Sequence, residues 1–167
     1  MKYMKLGGKV TVVTGATGGI GKSTSKKILE EGGKVVLVAR NKDKLKKTVN
    51  ELNNNGNDNN ILAITADVSH ESEILNAVEQ ALSVFDRIDI LINCAAIIND
   101  PMPFHLMTED QWNNLINVNL KGTFQPIKAI IPIMIQQNNG NIINISSSLG
   151  IRAIPKVPLS VYGITKS

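Results

Sequence analysis

Two residues near the end of this chain, Tyr162 and Lys166, have the types and the spacing for proton chemistry. Side chains four positions apart lie on one face of a helix. A free tyrosine holds its proton up to a pH of about 10, which makes it a poor proton donor near neutrality. An ammonium group beside a phenol stabilises the phenolate, so the pair could pass a proton to a substrate oxygen at neutral pH.

A glycine-rich turn near the start of the chain has the composition of a phosphate site. Residues 14–21 read Thr-Gly-Ala-Thr-Gly-Gly-Ile-Gly, after a short apolar run and before a helical pattern. Small residues let the backbone approach a pyrophosphate closely, and the helix that follows points free N–H groups and its positive dipole end at the anion. The turn therefore predicts a nucleotide site.

The same stretch comes close to a second phosphate-binding pattern, that of the P-loop NTPases. Residues 16–23 fit G-x-x-x-x-G-K-[ST], except that Ala16 replaces the first glycine. In that pattern Lys22 would contact the β- and γ-phosphates and Ser23 would hold Mg²⁺. Such enzymes also need a strand that ends in a metal-holding Asp, whereas the run Ile88–Asn93 leads into Cys-Ala-Ala. Nucleotide hydrolysis is therefore the poorer interpretation.

The end of the second apolar run indicates which dinucleotide would bind. Val35–Ala39 is followed directly by Arg40. In a dinucleotide-binding unit the residue at this place meets the adenosine ribose, where an acid binds the 2′-OH of NAD and an Arg suits the 2′-phosphate of NADP. Arg40 therefore predicts NADP, with NAD the less favoured cofactor.

Alternating strands and helices must position these groups. Five short apolar runs rich in Val and Ile are typical of strands buried on both faces of a parallel sheet. They are Val10–Thr14, Val35–Ala39, Ile61–Ala66, Ile88–Asn93 and Ile142–Ser146. Helical patterns lie between them at Gly19–Glu31, Lys42–Asn54, Glu71–Phe85 and, less cleanly, Glu109–Gln137. This order predicts right-handed βαβ units and a doubly wound α/β fold.

The composition bounds the class of protein. With 167 residues, 43% of them hydrophobic, the chain suits one domain with a real core. No apolar run is long enough to span a membrane, Met1–Val10 lacks the apolar segment of a secretory signal, and Cys94 is the only cysteine, so we expect a reducing, cytoplasmic setting. We also expect Cys94 to be a small core filler.

The charge of +4 comes from scattered residues and only 4% of the residues are aromatic, so no nucleic-acid partner is expected. His70 and His105 lack metal-ligand spacing, and no metal site is predicted.

In their order and spacing, the motifs resemble those of the short-chain dehydrogenase/reductase family over nearly the whole chain. The nucleotide signature T-G-x-x-x-G-x-G falls on Thr14, Gly15, Gly19 and Gly21, and the Asp-Val pair after the third strand falls on Asp67 and Val68. The N-N-A-G element is matched in part by Asn93, Cys94, Ala95 and Ala96. The helical Asn, the Ser after the fifth strand and the Tyr-x-x-x-Lys motif fall on Asn119, Ser147, Tyr162 and Lys166.

The resemblance implies a Rossmann-fold oxidoreductase that transfers hydride between NADP(H) and a small carbonyl or secondary alcohol. The implied catalytic residues are Asn119, Ser147, Tyr162 and Lys166. Tyr162 would give a proton to the carbonyl oxygen, Ser147 would hydrogen-bond that oxygen, Lys166 would also hold the nicotinamide ribose, and Asn119 would order water and Lys166. The implied cofactor contacts are Thr14, Gly15, Gly19, Ile20, Gly21, Arg40, Asp67, Val68, Asn93, Ala95, Tyr162 and Lys166.

Two residues depart from what the family would use. Ala96 stands where the family has glycine, and its Cβ could crowd the cofactor. Pro126 falls inside the expected long helix, where a proline costs about 3 kcal/mol unless it marks a kink or the first turn.

The chain ends at Ser167, one residue past the Tyr-x-x-x-Lys motif. The family continues through the rest of that helix, a sixth strand, a substrate loop and usually a seventh strand. The resemblance thus makes residues 1–167 a single NAD(P)-binding Rossmann domain, incomplete at its C-terminal side and without the substrate-binding part. An isolated stub of five or six residues does not form a helix, so we expect weak or absent turnover, and the alternative is a catalytically inactive nucleotide-binding fragment. The homo-oligomer that the family implies would lack part of its interface.

Overall fold

The computed structural model describes residues 4–53, 58–152 and 158–167. Five strands form one sheet in the order β3-β2-β1-β4-β5, and all four pairings are parallel. The strands are β1 (Val10–Thr14), β2 (Lys34–Ala39), β3 (Ile61–Thr65), β4 (Ile90–Asn93) and β5 (Asn141–Asn144). The strand order reverses between β1 and β4, so the crevice at their carboxyl ends is the switch point at which doubly wound sheets bind ligands.

Helices connect successive strands and cover both faces of the sheet. They are α1 (Gly19–Glu30), α2 (Lys42–Leu52), α3 (Glu71–Phe85), α4 (Glu109–Leu115) and α5 (Gly122–Gln136), with a π-helical segment (Ile116–Lys121) between α4 and α5. Two short helices, α6 (Ser148–Ile151) and α7 (Ser160–Ile164), follow β5. Single 3-10 turns lie at Asp58–Asn60 and Phe104–Leu106. None of the helices in the described ranges is long and apolar enough to cross a membrane.

Apolar side chains fill the space between the sheet and each helical layer. On one face, α3 and α5 contribute Ile74 and Ile130 to a cluster around Leu91. On the other face, α1 and α2 contribute Ile28 and Leu45. The doubly wound parallel sheet expected from the sequence is therefore confirmed.

The strand bounds agree with the sequence-based expectation to within two residues at each end. The expectation of burial on both faces holds for the central strands β1 and β2. It is wrong for β5, where Asn141, Ile143 and Asn144 are exposed, and for β3, where only Ile64 is buried. The reason is position, because β3 and β5 lie at the two edges of the sheet.

The long helix expected from residue 109 is present, but its centre is not a regular α-helix. A capping box starts it, in which Thr108 Oγ1 accepts from Gln111 N at 3.3 Å and Gln111 Oε1 accepts from Thr108 N at 3.0 Å. The π-helical segment then ends one turn before the buried Pro126. Kinks in helices concentrate at π-bulges and prolines. Pro126 itself lies inside α5, within the second turn after the π-helical segment.

Candidate active site

The glycine turn after β1 packs tightly against the loop after β4. Gly15 has a φ of +63°, and a Cβ added there would lie 2.7 Å from the backbone N and Cα of Ala95. A Cβ on Gly21 would lie 2.5 Å from the Gly15 carbonyl oxygen. Thr14 Oγ1 accepts a 3.3 Å hydrogen bond from Ala95 N and ties the two loops together. Both glycines are thus required by close backbone approach.

The first N–H groups of α1, directly after the turn, have no hydrogen-bond acceptors within the helix. The N-cap is Gly18, which has no side chain to offer, and the first helical turn holds no acidic residue. The bond from Lys22 N to Gly18 O, at 2.9 Å, closes the first turn. The N–H groups of Gly19, Ile20 and Gly21 therefore have no acceptor within the helix. This is the arrangement that binds phosphate at a helix N-terminus.

The P-loop alternative does not fit this geometry. Lys22 Nζ lies 2.8 Å from Glu51 Oε2 on α2, in an ion pair at the surface. Its ammonium is therefore engaged by another helix instead of lying over the glycine turn.

A groove of about 270 Å³ opens at the carboxyl ends of β1, β2 and β4. Its lining residues are Gly15, Thr17, Gly18, Val38, Ala39, Arg40, Asn41, Lys44, Ala66, Asp67, Val68, Cys94, Ala95, Ala96, Ile97 and Val118. Five of the expected cofactor contacts, at positions 15, 40, 67, 68 and 95, are among them. The loop segments that carry these five residues come from separate parts of the chain, and the sheet brings them to one edge.

One end of the groove carries two positive side chains. Arg40 and Lys44 both line it and both are exposed. Lys44 is placed by the start of α2, where its N–H donates to Asn41 Oδ1 at 2.9 Å. No sequence pattern singles out Lys44, because it lies in a lysine-rich helix face that is ordinarily solvated.

Asp67 stands beside this positive end as a fixed carboxylate. Its Oδ1 accepts hydrogen bonds from Ser69 N at 2.9 Å and Ser69 Oγ at 2.7 Å. Burial by itself raises the pKa of Asp67, but the two Ser69 bonds and the nearby charges of His70 and Arg40 bring the pKa below its ordinary value. The neighbouring Val68 is pressed close by the long helix, since a Cβ on Gly122 would lie 2.5 Å from Val68 Cγ2.

Other expected cofactor contacts lie outside the groove lining. Asn93 is buried at the end of β4, and its Nδ2 donates to Asn144 Oδ1 at 2.9 Å, which links β4 to β5. Thr14 is buried with its hydroxyl against the β4 loop. Ile20 is exposed at the start of α1, and Gly19 has open space where a side chain would be.

Cys94 is not a simple core filler. It packs partly against the cluster of α1 and α2, yet it also lines the groove. Burial raises the pKa of its thiol, and the charge of Lys166 acts in the opposite direction. Cys94 therefore lies both at the groove and within reach of the Lys166 charge.

Lys166 is only 8% exposed. The helix α7 ends at Ile164, so Lys166 lies in the turn that follows. Its Nζ donates to the Ile145 carbonyl at 2.8 Å, and its own carbonyl accepts from Ser146 Oγ at 2.5 Å. Burial lowers the pKa of the ammonium, and the proximity of Cys94 raises it. The Ile145 carbonyl, directly after β5, therefore fixes the position of the Lys166 side chain.

The short segment around Tyr162 is helical, contrary to the expectation for an isolated stub. Val161 is fully buried, and a Cβ on Gly163 would lie 2.7 Å from the Leu149 carbonyl oxygen of α6. This packing stabilises a helix that would be too short to form in an isolated peptide.

Ser147 lies at the start of α6, where its Oγ accepts from Leu149 N at 3.3 Å. A Cβ on Gly150 would collide with the Lys166 carbonyl oxygen. The turn after β5 and the segment of Tyr162 therefore pack directly on one another.

Asn119 occupies the π-helical segment and is 1% exposed. Its Oδ1 accepts from Ile97 N at 2.8 Å, and its Nδ2 donates to Ile97 O and to Thr165 Oγ1, both at 2.9 Å. The side chain thus joins the loop after β4 to the segment that carries Tyr162. Nothing in the motifs pointed to Thr165 as its partner.

Comparison with known proteins agrees with this geometry. The family model of the short chain dehydrogenases matches residues 9–167. A 3-oxoacyl-[acyl-carrier-protein] reductase of Thermotoga maritima is 38% identical over 152 residues, which cover 91% of this chain and 61% of that protein. The chain thus spans about three fifths of the length of this relative.

Solved structures show the same likeness. A 3-ketoacyl-(acyl-carrier-protein) reductase from Brucella melitensis complexed with NADH superposes with a TM-score of 0.88 and 32% identity, covering 97% of this chain and 66% of that one. An actinorhodin polyketide ketoreductase with NADPH gives a TM-score of 0.88 and 28% identity, covering 95% and 59%. The chain belongs to the short-chain dehydrogenase family.

Proposed function

We propose that this chain carries the nucleotide-binding and proton-donating parts of an NADP-dependent oxidoreductase that interconverts a carbonyl and a secondary alcohol. The observation that carries the proposal is the place of Lys166, whose ammonium donates to the Ile145 carbonyl directly after β5, the strand next to β4. Its charge also acts on Cys94, which follows β4 and lines the groove. Lys166 and the groove therefore lie at the same carboxyl edge of the sheet.

The residues present fit a dinucleotide. The glycine turn has room only for backbone at Gly15 and Gly21, and the start of α1 offers unpartnered N–H groups to a pyrophosphate. Asp67 and Val68 form the wall for the adenosine end. When bound, the nicotinamide ring would supply or accept the hydride.

The remaining chemistry belongs to side chains of this chain. In the direction of reduction, the phenol of Tyr162 would give its proton to the substrate oxygen. Ser147 Oγ would hydrogen-bond the same oxygen. The Lys166 ammonium would stabilise the phenolate that is left, because an opposite charge close to a phenol favours its ionised form. Asn119 holds the segment in place through Thr165.

The preference for NADP over NAD rests on Arg40 and Lys44. Two cations at the ribose end of the groove match a 2′-phosphate, whereas the 2′-OH of NAD is usually met by an acid. Solved relatives include one with NADH and one with NADPH.

The first test measures binding of NADPH and of NADH to the chain. Binding is detected by the fluorescence of the reduced nicotinamide. We expect tighter binding of NADPH, and loss of that preference in Arg40→Ala. Lys22→Ala is the matched control, because Lys22 is also cationic and close in sequence but pairs with Glu51. Binding of Mg-ATP that is abolished by Lys22→Ala would overturn the assignment in favour of a P-loop.

Turnover is measured as NADPH oxidation with a panel of ketones and quinones. Activity that disappears in Tyr162→Phe supports the proton-donor role. NADPH binding without turnover of any carbonyl would support the alternative, a nucleotide-binding chain that is catalytically inactive.

A further inference from the structure

Thr165 makes contacts that none of the motifs account for. It is 5% exposed and lies between Tyr162 and Lys166 in the sequence. Its Oγ1 donates to the Tyr162 carbonyl at 2.8 Å and accepts from Asn119 Nδ2 at 2.9 Å. A hydroxyl has one proton and two lone pairs, so the two bonds are compatible. Their directions are fixed because an amide nitrogen only donates and a carbonyl only accepts.

The Asn119 amide is fully used in this arrangement. Its oxygen accepts from Ile97 N, one N–H donates to Ile97 O, and the second N–H donates to Thr165. Because Asn119 is buried, removing the Thr165 hydroxyl would leave a buried amide N–H without an acceptor, which is unfavourable.

The backbone around Thr165 leads directly to the residues suited to proton transfer. Thr165 N donates to Val161 O at 3.0 Å, and Lys166 N donates to Gly163 O at 3.0 Å. Lys166 is then bonded on its other side to Ile145 and Ser146. The short helix α7 is therefore held between the π-helical segment and the end of β5, and Thr165 makes the first of these connections.

We infer that Thr165 is a positioning residue, whose hydroxyl connects Asn119 of the π-helical segment to Tyr162 and so sets where Tyr162 and Lys166 stand at the groove. The inference rests on the proposed function for its catalytic consequence. Its structural part, the placement of Lys166, is measurable without turnover.

The first measurement is steady-state oxidation of NADPH by Thr165→Val, which removes the hydroxyl and keeps the volume. Thr165 touches neither the groove nor the substrate oxygen in the proposed reaction, so we expect kcat to fall about tenfold while KM changes little. Thr165→Ser keeps the hydroxyl and should restore most of kcat. Equal losses in the Val and Ser variants would overturn the inference.

Thr48→Val is the matched control. Thr48 is buried, and its Oγ1 donates to the Lys44 carbonyl at 2.9 Å within α2. The same substitution thus removes a buried helix hydroxyl far from Tyr162. A loss of kcat equal to that of Thr165→Val would show a general effect of the substitution and contradict the inference.

The second measurement uses Cys94, the single cysteine of the chain, as a reporter. Lys166 acts on the Cys94 thiol through its charge, so the pH profile of alkylation by iodoacetamide depends on where the ammonium lies. We expect Thr165→Val to displace the profile, and Thr165→Ser and Thr48→Val to leave it in place. Thr165→Ala is measured in parallel, so a Val variant that fails to fold does not remove the test.

The two measurements separate the two ideas. If the unaltered chain turns over no carbonyl, the inactive nucleotide-binding alternative is favoured, and the alkylation profile still decides the role of Thr165. An identical profile in the unaltered chain and in both hydroxyl-deleted variants would overturn the inference.

Discussion

Replacing Asp89 by Asn should destabilise the protein at neutral pH and remove part of its sensitivity to acid. Asp89 is 2% exposed and lies just before β4. Its carboxylate accepts from Arg87 Nε at 2.8 Å, Arg87 Nη2 at 2.6 Å, Lys9 Nζ at 2.9 Å and Val10 N at 3.0 Å. The Asp89 carboxylate therefore joins the starts of β1 and β4, at the end of the strands opposite the groove.

The magnitude follows from the pKa of this carboxyl. Burial raises it, but the hydrogen bonds from Arg87, Val10 and Lys9 and the charge of Arg87 lower it from 3.8 to about 2. At about 1.4 kcal/mol for each pKa unit, the ionised form contributes up to about 2.5 kcal/mol. Lys9 and Arg87 are 38% and 46% exposed, so solvent screening reduces the value.

The sign is set by a folded-state pKa below the unfolded one. The stabilisation is complete above the unfolded pKa, near 4, and is lost as the pH falls through the folded pKa of about 2. Asp89→Asn should therefore lower the free energy of unfolding by about 1–2 kcal/mol at pH 7, and its stability should fall less steeply than that of the unaltered chain between about pH 4 and pH 2.

Urea denaturation followed by circular dichroism, at pH 7 and in steps down to pH 2, measures both effects. Glu71→Gln is the control, because Glu71 pairs with Lys128 at 2.7 Å but both side chains are at least half exposed, and we expect little change. Curves of stability against pH that run parallel for Asp89→Asn and the unaltered chain would refute the reasoning.

Three further substitutions test the groove. Gly15→Ala should abolish NADPH binding in calorimetry and lower Tm. A φ of +63° costs an L-residue about 1–2 kcal/mol, and the new methyl group would lie 2.7 Å from the Ala95 backbone. Unchanged binding would contradict this geometry. Gly122→Ala should destabilise by about 1–3 kcal/mol in urea and weaken NADPH binding, since its Cβ would displace Val68; an equal or higher midpoint would show that the helix can shift. Arg40→Asp should weaken NADPH binding at least about tenfold while NADH binding holds or improves; equal weakening of both cofactors would argue against the 2′-phosphate contact.

Local sequence patterns predict much of this fold. The strands and the glycine turn follow from runs of Val and Ile and from residues small enough for close approach, and these requirements are met within a few positions of the chain. Parallel strands bring their carboxyl ends to one edge of the sheet, which is where the loops that carry the motifs meet. Arg40, Asp67 and Val68 lie together at the groove for that reason.

The sheet and the glycine turn could be predicted from the amino-acid order alone, because each depends on neighbours close along the chain. The candidate catalytic residues were assigned through the resemblance of the motifs to a family, and their role stays a prediction. How those residues are held depends on the packed molecule. Lys166 bonds to the Ile145 carbonyl directly after β5, Thr165 becomes the partner of Asn119, and Cys94 reaches the groove. The first two contacts join residues 21 and 46 positions apart, and no local pattern records which distant groups a buried side chain will meet. Burial requires that such polar groups find partners, and packing of the whole sheet and its helices selects which ones.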